Sequence, residues 1–360
     1  MTESLPWDAA NTAMAEHEAK SSPGPGRHLE FAVNLNNREP LFVPTYDVPK
    51  LLDLATLAEE RGFDGVFVGD SLFSKPRYEA IALLGAISQR TSRVRLGTAA
   101  LVASLRDPLF LALEWTTLDV LSGGRMVMGA AAGNDEVGVR REFEALGLDF
   151  RRRGSRLEEV LHVMRELWRT GSVTFHGRFF DYADVAFNSG TETVPLRPVQ
   201  AAPPVWVVSN PRILGDVPEA RIRTGCERVI RYGDGWLTCC RAQHPEEVEE
   251  QVAWLRRTAE ELGVDFDRYE LAYQVTMCLG DTEDRARESI ERYIGSYYPE
   301  LSRMMDIANW GPVGSPETVR RWIERFAAAG IDRFVCRFAA EDQFDQMERL
   351  ARDVLPAFGR

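Results

Sequence analysis

The sequence has no long apolar run and no excess of positive charge. No stretch approaches the ~20 consecutive apolar residues that a membrane-spanning helix needs, and the N-terminus lacks a basic segment followed by an apolar one. A formal net charge of −12 is the wrong sign for a surface that must displace counterions from nucleic acid. We therefore expect a cytoplasmic protein that binds neither nucleic acid nor a membrane.

Cysteine and histidine are also scarce, with five of each in 360 residues. Cys239 and Cys240 are adjacent, and neighbouring side chains on a strand point to opposite faces, so the pair is a poor chelate. The other cysteines and the histidines are scattered along the chain. We therefore expect reduced, buried thiols and no metal site.

Apolar residues, in contrast, are plentiful. Hydrophobic residues make up 44% of the chain and aromatic residues 10%, which excludes wholesale disorder. Residues 1–27 end in SSPGPGR and show no sustained periodicity, so they are predicted to form a mobile arm. Residues 28–360 are predicted to form a single domain, because barrels often exceed the usual domain length.

Strands and helices alternate from Leu29 onward. Eight strands are predicted, at 29–35, 66–70, 94–102, 126–132, 205–208, 235–239, 270–279 and 333–338. Helices are predicted at 47–61, 78–92, 107–122, 154 or 155 to 170, 245–262, 282–305, 315–330 and 343–355. Residues 171–203, after strand four and its helix, are an insertion without helical periodicity, predicted to form small hairpins or a lid.

This alternation predicts an α/β fold, the (β/α)₈ TIM barrel, with right-handed crossovers. A doubly wound open sheet is the alternative. That fold usually has a Gly-rich turn after its first strand, and NLNNREPLF contains no glycine there. The barrel is therefore the favoured prediction.

In a barrel of this type the active site lies at the C-terminal ends of the strands. The residues at those ends are Asn34, Asn36, Asp70, Ser71, Ala99, Ala100, Gly133, Asn134, Ser209, Asn210, Thr238, Cys239 and Arg337. No Ser-His-Asp set, histidine pair or Walker-type loop can be assembled from them, which points to a cofactor that brings its own reactivity. Arg337 could hold an anionic substrate group or pair with Asp332 or Glu341.

The motifs LGTAALV, TLDVLSGGRMVMGAAAG and GSPETVRRWIERFAAAGIDRFV, in this order, resemble those of the bacterial luciferase-like flavin monooxygenases. The similarity runs from about Phe31 over nearly the whole chain. It implies reduced FMN, or the deazaflavin F420, in a barrel pocket, and a homodimer. It places Ala99 and Ala100 at a bulge behind the flavin ring, where relatives often have a non-proline cis peptide.

The same resemblance assigns the cofactor phosphate to Arg156, at the start of a helix, and to Ser209 and Asn210 after strand five. A helix N-terminus with a guanidinium is a physically apt anion site. The alternative for Arg156 is a solvated charge on the helix surface. Gly133 and Asn134, which follow strand four, complete the predicted cofactor-binding set.

One position departs from the resemblance. After strand two many relatives carry an acidic residue followed by His, whereas this chain has Asp70 and Ser71. Asp70 is therefore either an acid or base in the reaction or a cap of its loop. Asp70, Ser71 and Arg337 are the predicted catalytic residues.

The resemblance predicts a monooxygenase that uses reduced FMN from a separate reductase, together with O₂, to oxygenate a small organic substrate. No NAD(P)H-binding motif is visible, which favours the external reductase. The first alternative is an F420-dependent hydride-transfer enzyme, whose anionic cofactor tail would prefer a basic groove; the net acidity argues mildly against one, although a local patch could exist. The second is a non-catalytic flavin-binding subunit, because Ser71 replaces the expected His.

Overall fold

The fold is taken from a computed structural model, which describes residues 28–38, 47–187, 196–210, 217–239, 241–299, 301–303, 306 and 309–360. The predicted arm at 1–27, Cys240 and part of the insertion lie outside these ranges. Within them, no helix is long and apolar enough to cross a membrane.

The described strands are eleven in number, and eight of them correspond to the eight predicted strands. They are Glu30–Leu35 (β1), Gly65–Val68 (β2), Arg95–Thr98 (β3), Met126–Ala130 (β4), Ser172–His176 (β5), Asp181–Ala186 (β6), Val205–Val208 (β7), Gly235–Thr238 (β8), Glu270–Leu279 (β9), Val313–Gly314 (β10) and Arg333–Phe338 (β11). The third predicted strand extended to Val102, but β3 ends at Thr98, just before a cis peptide bond.

Eight of these strands form one closed ring. In spatial order it runs β1, β2, β3, β4, β7, β8, β9, β11, and every pairing between neighbours is parallel. β11 pairs with β9 on one side and with β1 on the other, where Phe31 lies opposite Phe334. The predicted TIM barrel is therefore confirmed, and the open-sheet alternative is wrong.

Ten described α-helices accompany the strands. They are Val48–Glu60 (α1), Ala80–Ser88 (α2), Pro108–Ser122 (α3), Val137–Ala145 (α4), Arg153–Thr170 (α5), Glu219–Tyr232 (α6), Pro245–Glu261 (α7), Glu283–Tyr297 (α8), Pro316–Ala328 (α9) and Gln343–Asp353 (α10). α3 has the predicted ends: Asp107 accepts the N–H of Leu109 at 2.9 Å, and Gly123 ends the helix at a φ of 69°.

Three helical segments differ from the prediction. The segment predicted to extend to about Met305 ends at Tyr297. α4 and α6 were not predicted, and neither begins with a side chain that caps the backbone. Start signals read from a sequence depend on such caps, so these two helices are specified by packing instead.

The insertion at 171–203 carries an antiparallel hairpin of β5 and β6, one of the two structures predicted for it. His176 and Asp181 face each other across this hairpin at 2.5 Å, with both side chains exposed. Residues 188–195, which belong to the predicted lid, lie outside the described ranges.

Two aromatic rings fill the lower part of the barrel interior. Phe67 and Trp206 stack with their centroids 5.3 Å apart. Glycines on the strands leave room for them: a Cβ at Gly97 would lie 2.6 Å from the Phe67 ring, and one at Gly235 would lie 2.6 Å from Trp206. Interior layers of this kind make the barrel a packed core instead of a pore.

Charged side chains cover the N-terminal end of the barrel. Arg95 donates to both carboxylate oxygens of Glu270, at 3.1 and 2.8 Å, and Arg333 lies 3.0 Å from the same carboxylate. The indole N–H of Trp206 also donates to Glu270. In barrels of this type the active site lies at the opposite end, where the strands terminate.

The turn before β3 depends on one carboxylate. Glu59, near the end of α1, accepts the backbone N–H groups of Ser92, Arg93 and Val94 at 2.9, 2.6 and 3.0 Å. Partial burial alone would raise the pKa of Glu59, but these donors together lower it to about 2. The ionised carboxylate therefore stabilises the folded chain.

We expect Glu59→Gln to lower the free energy of unfolding by about 1–2 kcal/mol at neutral pH, after allowance for solvent screening. Because the folded pKa lies below the unfolded value of about 4.3, the contribution is complete above that pH and is lost as the pH falls towards the folded value. Urea unfolding at several pH values measures it, with Glu60→Gln as the control. An equal loss at every pH would contradict the argument.

Candidate active site

The most distinctive backbone feature at the C-terminal end of the barrel is a cis peptide bond between Ala99 and Ala100. The resemblance implied a non-proline cis peptide at this position. The N–H of Ala99 donates to the carbonyl of Val68 at 2.9 Å, and the N–H of Leu101 donates to Gly129 at 2.7 Å. The bulge is thus bonded to strands on both sides and stands in the wall of the barrel mouth.

Two amides hold the carbonyl oxygen of Ala99. Asn34 Nδ2 donates to it at 3.5 Å and Gln274 Nε2 at 3.2 Å. Asn34 is buried, and its Oδ1 has no hydrogen-bond partner among the described residues. A buried acceptor without a donor costs about 1–3 kcal/mol, which a ligand N–H would offset. Small side chains beside an open acceptor fit a flat ring that carries an N–H group.

Gly133, after β4, has a φ of 89° that favours glycine. Its carbonyl accepts Nε of Arg153, the first residue of α5, at 2.9 Å. Burial lowers the pKa of the Arg153 guanidinium. Nearby Asp135 raises it, and the guanidiniums of Arg221, Arg140 and Arg228 lower it further. Cations therefore crowd the start of α5. We call Arg153, Arg221 and Arg228 the arginine patch.

Arg156 lies on the first turns of α5 but is occupied by the backbone. Its Nε donates to the carbonyl of Ser104 at 2.8 Å, and its Nη2 donates to that of Arg106 at 3.4 Å. Its guanidinium also lies 4.4 Å from the ring centroid of Phe180. These contacts replace the expected solvated surface charge, and the role of Arg156 in phosphate binding stays a prediction.

Ser209 and Asn210 lie at the rim where β7 ends. Asn210 Oδ1 accepts the hydroxyl of Thr238 at 2.8 Å and the N–H of Cys239 at 3.0 Å, which joins the ends of β7 and β8. The Ser209 carbonyl accepts the indole N–H of Trp236 at 2.9 Å. Asn134, in contrast, is exposed and donates to Glu136. Cofactor binding by these residues stays a prediction.

Asp70 is enclosed in an ion pair. Its two carboxylate oxygens lie 2.7 and 2.9 Å from the guanidinium of Arg106, one of them also accepts the N–H of Val102 at 2.9 Å, and the side chain is 1% exposed. Ser71 donates its hydroxyl to the carbonyl of Lys75 at 3.2 Å. The geometry favours the loop-cap alternative for Asp70, and its role in proton transfer stays a prediction.

Arg337 differs from what the sequence suggested. Asp332 pairs with Arg333 at 2.6 Å and Glu341 pairs with Arg292 at 3.1 Å. Arg337 instead donates through Nε to the Thr276 hydroxyl at 3.0 Å and through Nη1 to the Tyr298 hydroxyl at 3.1 Å. The alternative that Arg337 pairs with Asp332 or Glu341 is therefore wrong. Its guanidinium lies among polar and aromatic side chains at the barrel mouth.

The structure brings Arg337 together with three cations that the sequence analysis missed. We call Arg38, Lys75, Arg77 and Arg337 the cationic cluster. Tyr297 at the end of α8 lies at its centre, with its ring centroid 3.5 Å from the guanidinium carbon of Arg38 and 4.8 Å from that of Arg337. Arg38 and Lys75 lie in loops that carry no periodic pattern. The aromatic pair four residues apart on α8, Tyr293 and Tyr297, was the only signal for this cluster.

Residues 29–333 match the model of the luciferase-like monooxygenase family. The chain belongs to this family. The F420-dependent glucose-6-phosphate dehydrogenase of Amycolatopsis mediterranei is 27% identical over 327 residues, and that of Kribbella flavida is 25% identical over 334 residues. Each alignment covers 85% of this chain and 93% of the relative.

Solved structures share the fold. An F420-dependent secondary alcohol dehydrogenase superposes with a TM-score of 0.70 at 21% identity, over 92% of this chain and 99% of that one. A monooxygenase from Streptomyces bottropensis superposes with a TM-score of 0.74 at 21% identity, over 92% of this chain and 100% of that one. At this identity the likeness concerns the fold alone.

The family predicted from the motifs is therefore confirmed, and the chain is an oxidoreductase of that family. The finer prediction, a monooxygenase that uses reduced FMN and O₂, is wrong. Relatives that align over nearly their whole length are named as F420-dependent dehydrogenases. They agree better with the alternative of F420-dependent hydride transfer.

We expect Ala100→Leu to weaken cofactor binding by about fivefold to a hundredfold, because overpacking a close wall costs roughly 1–3 kcal/mol. Titration of the purified protein with F420, followed by fluorescence, measures the effect. Ala100→Ser, which adds one oxygen atom, is the matched control. Normal F420 affinity in the leucine variant would show that Ala100 does not face the ring.

Proposed function

We propose that this protein is an F420-dependent oxidoreductase that transfers a hydride between F420 and a small organic substrate. The observation that carries the proposal is the arginine patch beside Gly133. An anionic cofactor tail needs a basic groove. At the start of the 18-residue helix α5, Arg153 and Arg221 have no carboxylate partner among the described residues, while Arg228 pairs with Glu158 at 2.8 Å. The net charge of −12 argued against such a groove, but a bound group responds to charges within about a Debye length, roughly 8 Å.

F420, when bound, supplies the hydride chemistry. Ala99 and Ala100 would leave room for its ring, and the open Oδ1 of Asn34 would accept a ring N–H. We call the place beside Asn34, Ala99 and Ala100 the ring site. The arginine patch would bind the anionic tail. The stacked rings of Phe67 and Trp206 keep water out of the barrel below the site, which strengthens the electrostatic interactions above them.

The named relatives support the cofactor in this proposal. Glucose 6-phosphate is the substrate in their names. The small organic substrate and the homodimer predicted from the sequence remain part of the proposal. The outward face of α3 exposes Phe110, Leu113 and Leu121, the kind of apolar face that a partner subunit covers. O₂ and a separate flavin reductase were predicted as partners of a monooxygenase, and they are not part of this proposal.

The proposal predicts that F420 binds at least about tenfold more tightly than FMN in anaerobic titrations, since the additional charges of its tail meet the arginine patch. Arg153→Gln and Arg221→Gln should each weaken F420 binding about tenfold or more, the usual effect of losing a hydrogen bond to a charged group. Arg141→Gln, an exposed arginine on α4, is the control.

Two results would decide against the proposal. Equal affinity for FMN and F420, unaffected by Arg153→Gln, would mean that the arginine patch does not select the cofactor. Tight F420 binding without hydride exchange with any organic alcohol or carbonyl compound would support the non-catalytic flavin-binding alternative. Absorbance of oxidised F420 under anaerobic conditions follows the exchange.

A further inference from the structure

The cationic cluster lies on the other side of the alanine bulge from the arginine patch. Around the barrel, Arg38 follows β1, Lys75 and Arg77 follow β2, and Arg337 lies on β11, whereas the arginine patch follows β4 and β7. We propose that the cationic cluster binds an oxyanion group, a carboxylate or a phosphate, of the substrate that reacts at the ring site. The role as a substrate site rests on the proposed function, but the anion site itself does not.

The charge balance of the cluster supports this proposal. Among the described residues, the one carboxylate that pairs with any of its four cations is Glu136, which lies 3.0 Å from Lys75 Nζ. Arg38 is 1% exposed and Arg337 is 6% exposed. Buried cations are costly where counter-charges do not repay their desolvation, and Glu136 together with the phenol of Tyr297 can balance at most two of the four cations. An anionic ligand would supply further counter-charge.

The donors of the cluster divide into two kinds. Each nitrogen of Arg337 already donates to Thr276 or Tyr298, so Arg337 contributes mainly its charge. Arg38 donates through Nη2 to the Tyr297 carbonyl at 3.2 Å, while its buried Nε and Nη1 find no partner in the described part of the chain, and neither does Nε of Arg77. These unmet N–H groups are the direct ligands that the site offers. A planar guanidinium stacked on an aromatic ring directs its N–H groups to a ligand in its own plane.

The backbone makes room for one of these donors. A Cβ at Gly69, which follows β2, would lie 2.3 Å from Nη1 of Arg77. Asn37 fixes the same point by donating Nδ2 to the Gly69 carbonyl at 2.8 Å. The loop after β2 is therefore shaped around the Arg77 guanidinium. Gly69→Ala should displace that group without removing its charge.

The ring site and the cluster share the end of β1. Asn34 reaches the Ala99 carbonyl, and Arg38 follows four residues later. Between them, Asn36 donates to the Phe338 carbonyl at 3.1 Å and joins β1 to β11. A substrate held by its oxyanion in the cluster would extend along this short rim towards the alanine bulge.

Tyr297 gives this inference an optical readout. Burial raises its pKa, but the guanidiniums of Arg77, Arg38 and Arg337 together lower it to about 6. The other groups that face it are Lys75, with Glu136 behind it, and the phenols of Tyr293 and Tyr298, whose pKa values burial raises. The cluster therefore favours the ionised form of this phenol. An anion in the cluster would raise its pKa and drive proton uptake.

The first experiment titrates the cofactor-free, full-length protein with inorganic phosphate and, separately, with acetate near neutral pH. We expect saturable binding by calorimetry, loss of the ultraviolet tyrosinate band, and uptake of a fraction of a proton per anion in buffers of different ionisation enthalpy. Tyr297→Phe should keep anion binding and lose the spectral change. Absence of saturable binding for both anions would overturn the proposal.

Variants locate the binding. Arg77→Met and Gly69→Ala should weaken phosphate or acetate binding at least tenfold, whereas Arg287→Met, an exposed arginine on the same helix as Tyr297, should not. Arg38→Met should abolish binding, provided that circular dichroism shows that this variant folds. If the Arg38→Met protein does not fold, Arg77→Met alone tests the role of the arginines. Equal affinity in Arg77→Met, Gly69→Ala and the control would contradict the assignment.

A third experiment separates the sources of the anion. Saturating F420 should leave phosphate or acetate binding unchanged, and full competition would assign the cluster to the cofactor tail and overturn the proposal. With F420 bound, the protein should prefer a hydroxy acid over its neutral amide in kcat/KM, and Arg77→Met should reduce that preference at least tenfold. Failure of F420 to bind, while phosphate still binds, would reject the proposed function and leave the anion site standing.

Discussion

The parallel pairing of β11 with β1 is the constraint on which the rest of the structure depends. It joins strands that are about 300 residues apart in sequence, through pairs such as Phe31 with Phe334, and it converts a row of strands into a closed ring. Closure leaves two different ends. One is covered by the ion pairs of Arg95 and Arg333 with Glu270, and the other is formed by strand ends and loops. In barrels of this type the chemistry takes place at the second end.

Closure also explains why the overall charge of the chain is a poor guide to its ligands. The acidic excess is spread over the whole chain, while basic side chains gather at two places around the barrel mouth. The arginine patch and the cationic cluster lie on either side of the alanine bulge. Such an arrangement suits an anionic cofactor on one side and an anionic substrate on the other.

Much of the fold could be predicted because its information is local. Asp107 and Gly123 mark the ends of α3 as expected. Several short motifs in a fixed order were enough to imply the family, and the resemblance to that family implied the cis peptide at Ala99 and Ala100. The site residues fared less evenly. Asp70 was identified as a strand-end carboxylate, but its enclosure by Arg106 depends on a contact across 36 residues that no local pattern contains.

By itself the sequence determined the alternation of strands and helices, the barrel, the family and the alanine bulge, because periodicity, helix caps and short motifs act between neighbours along the chain. Only the tertiary structure decided which charges meet. Arg38 and Arg337 share one tyrosine although 299 residues separate them, since ring closure brings the first and last barrel strands side by side. Electrostatic interactions depend on distance in space, and that distance exists only after the barrel has closed.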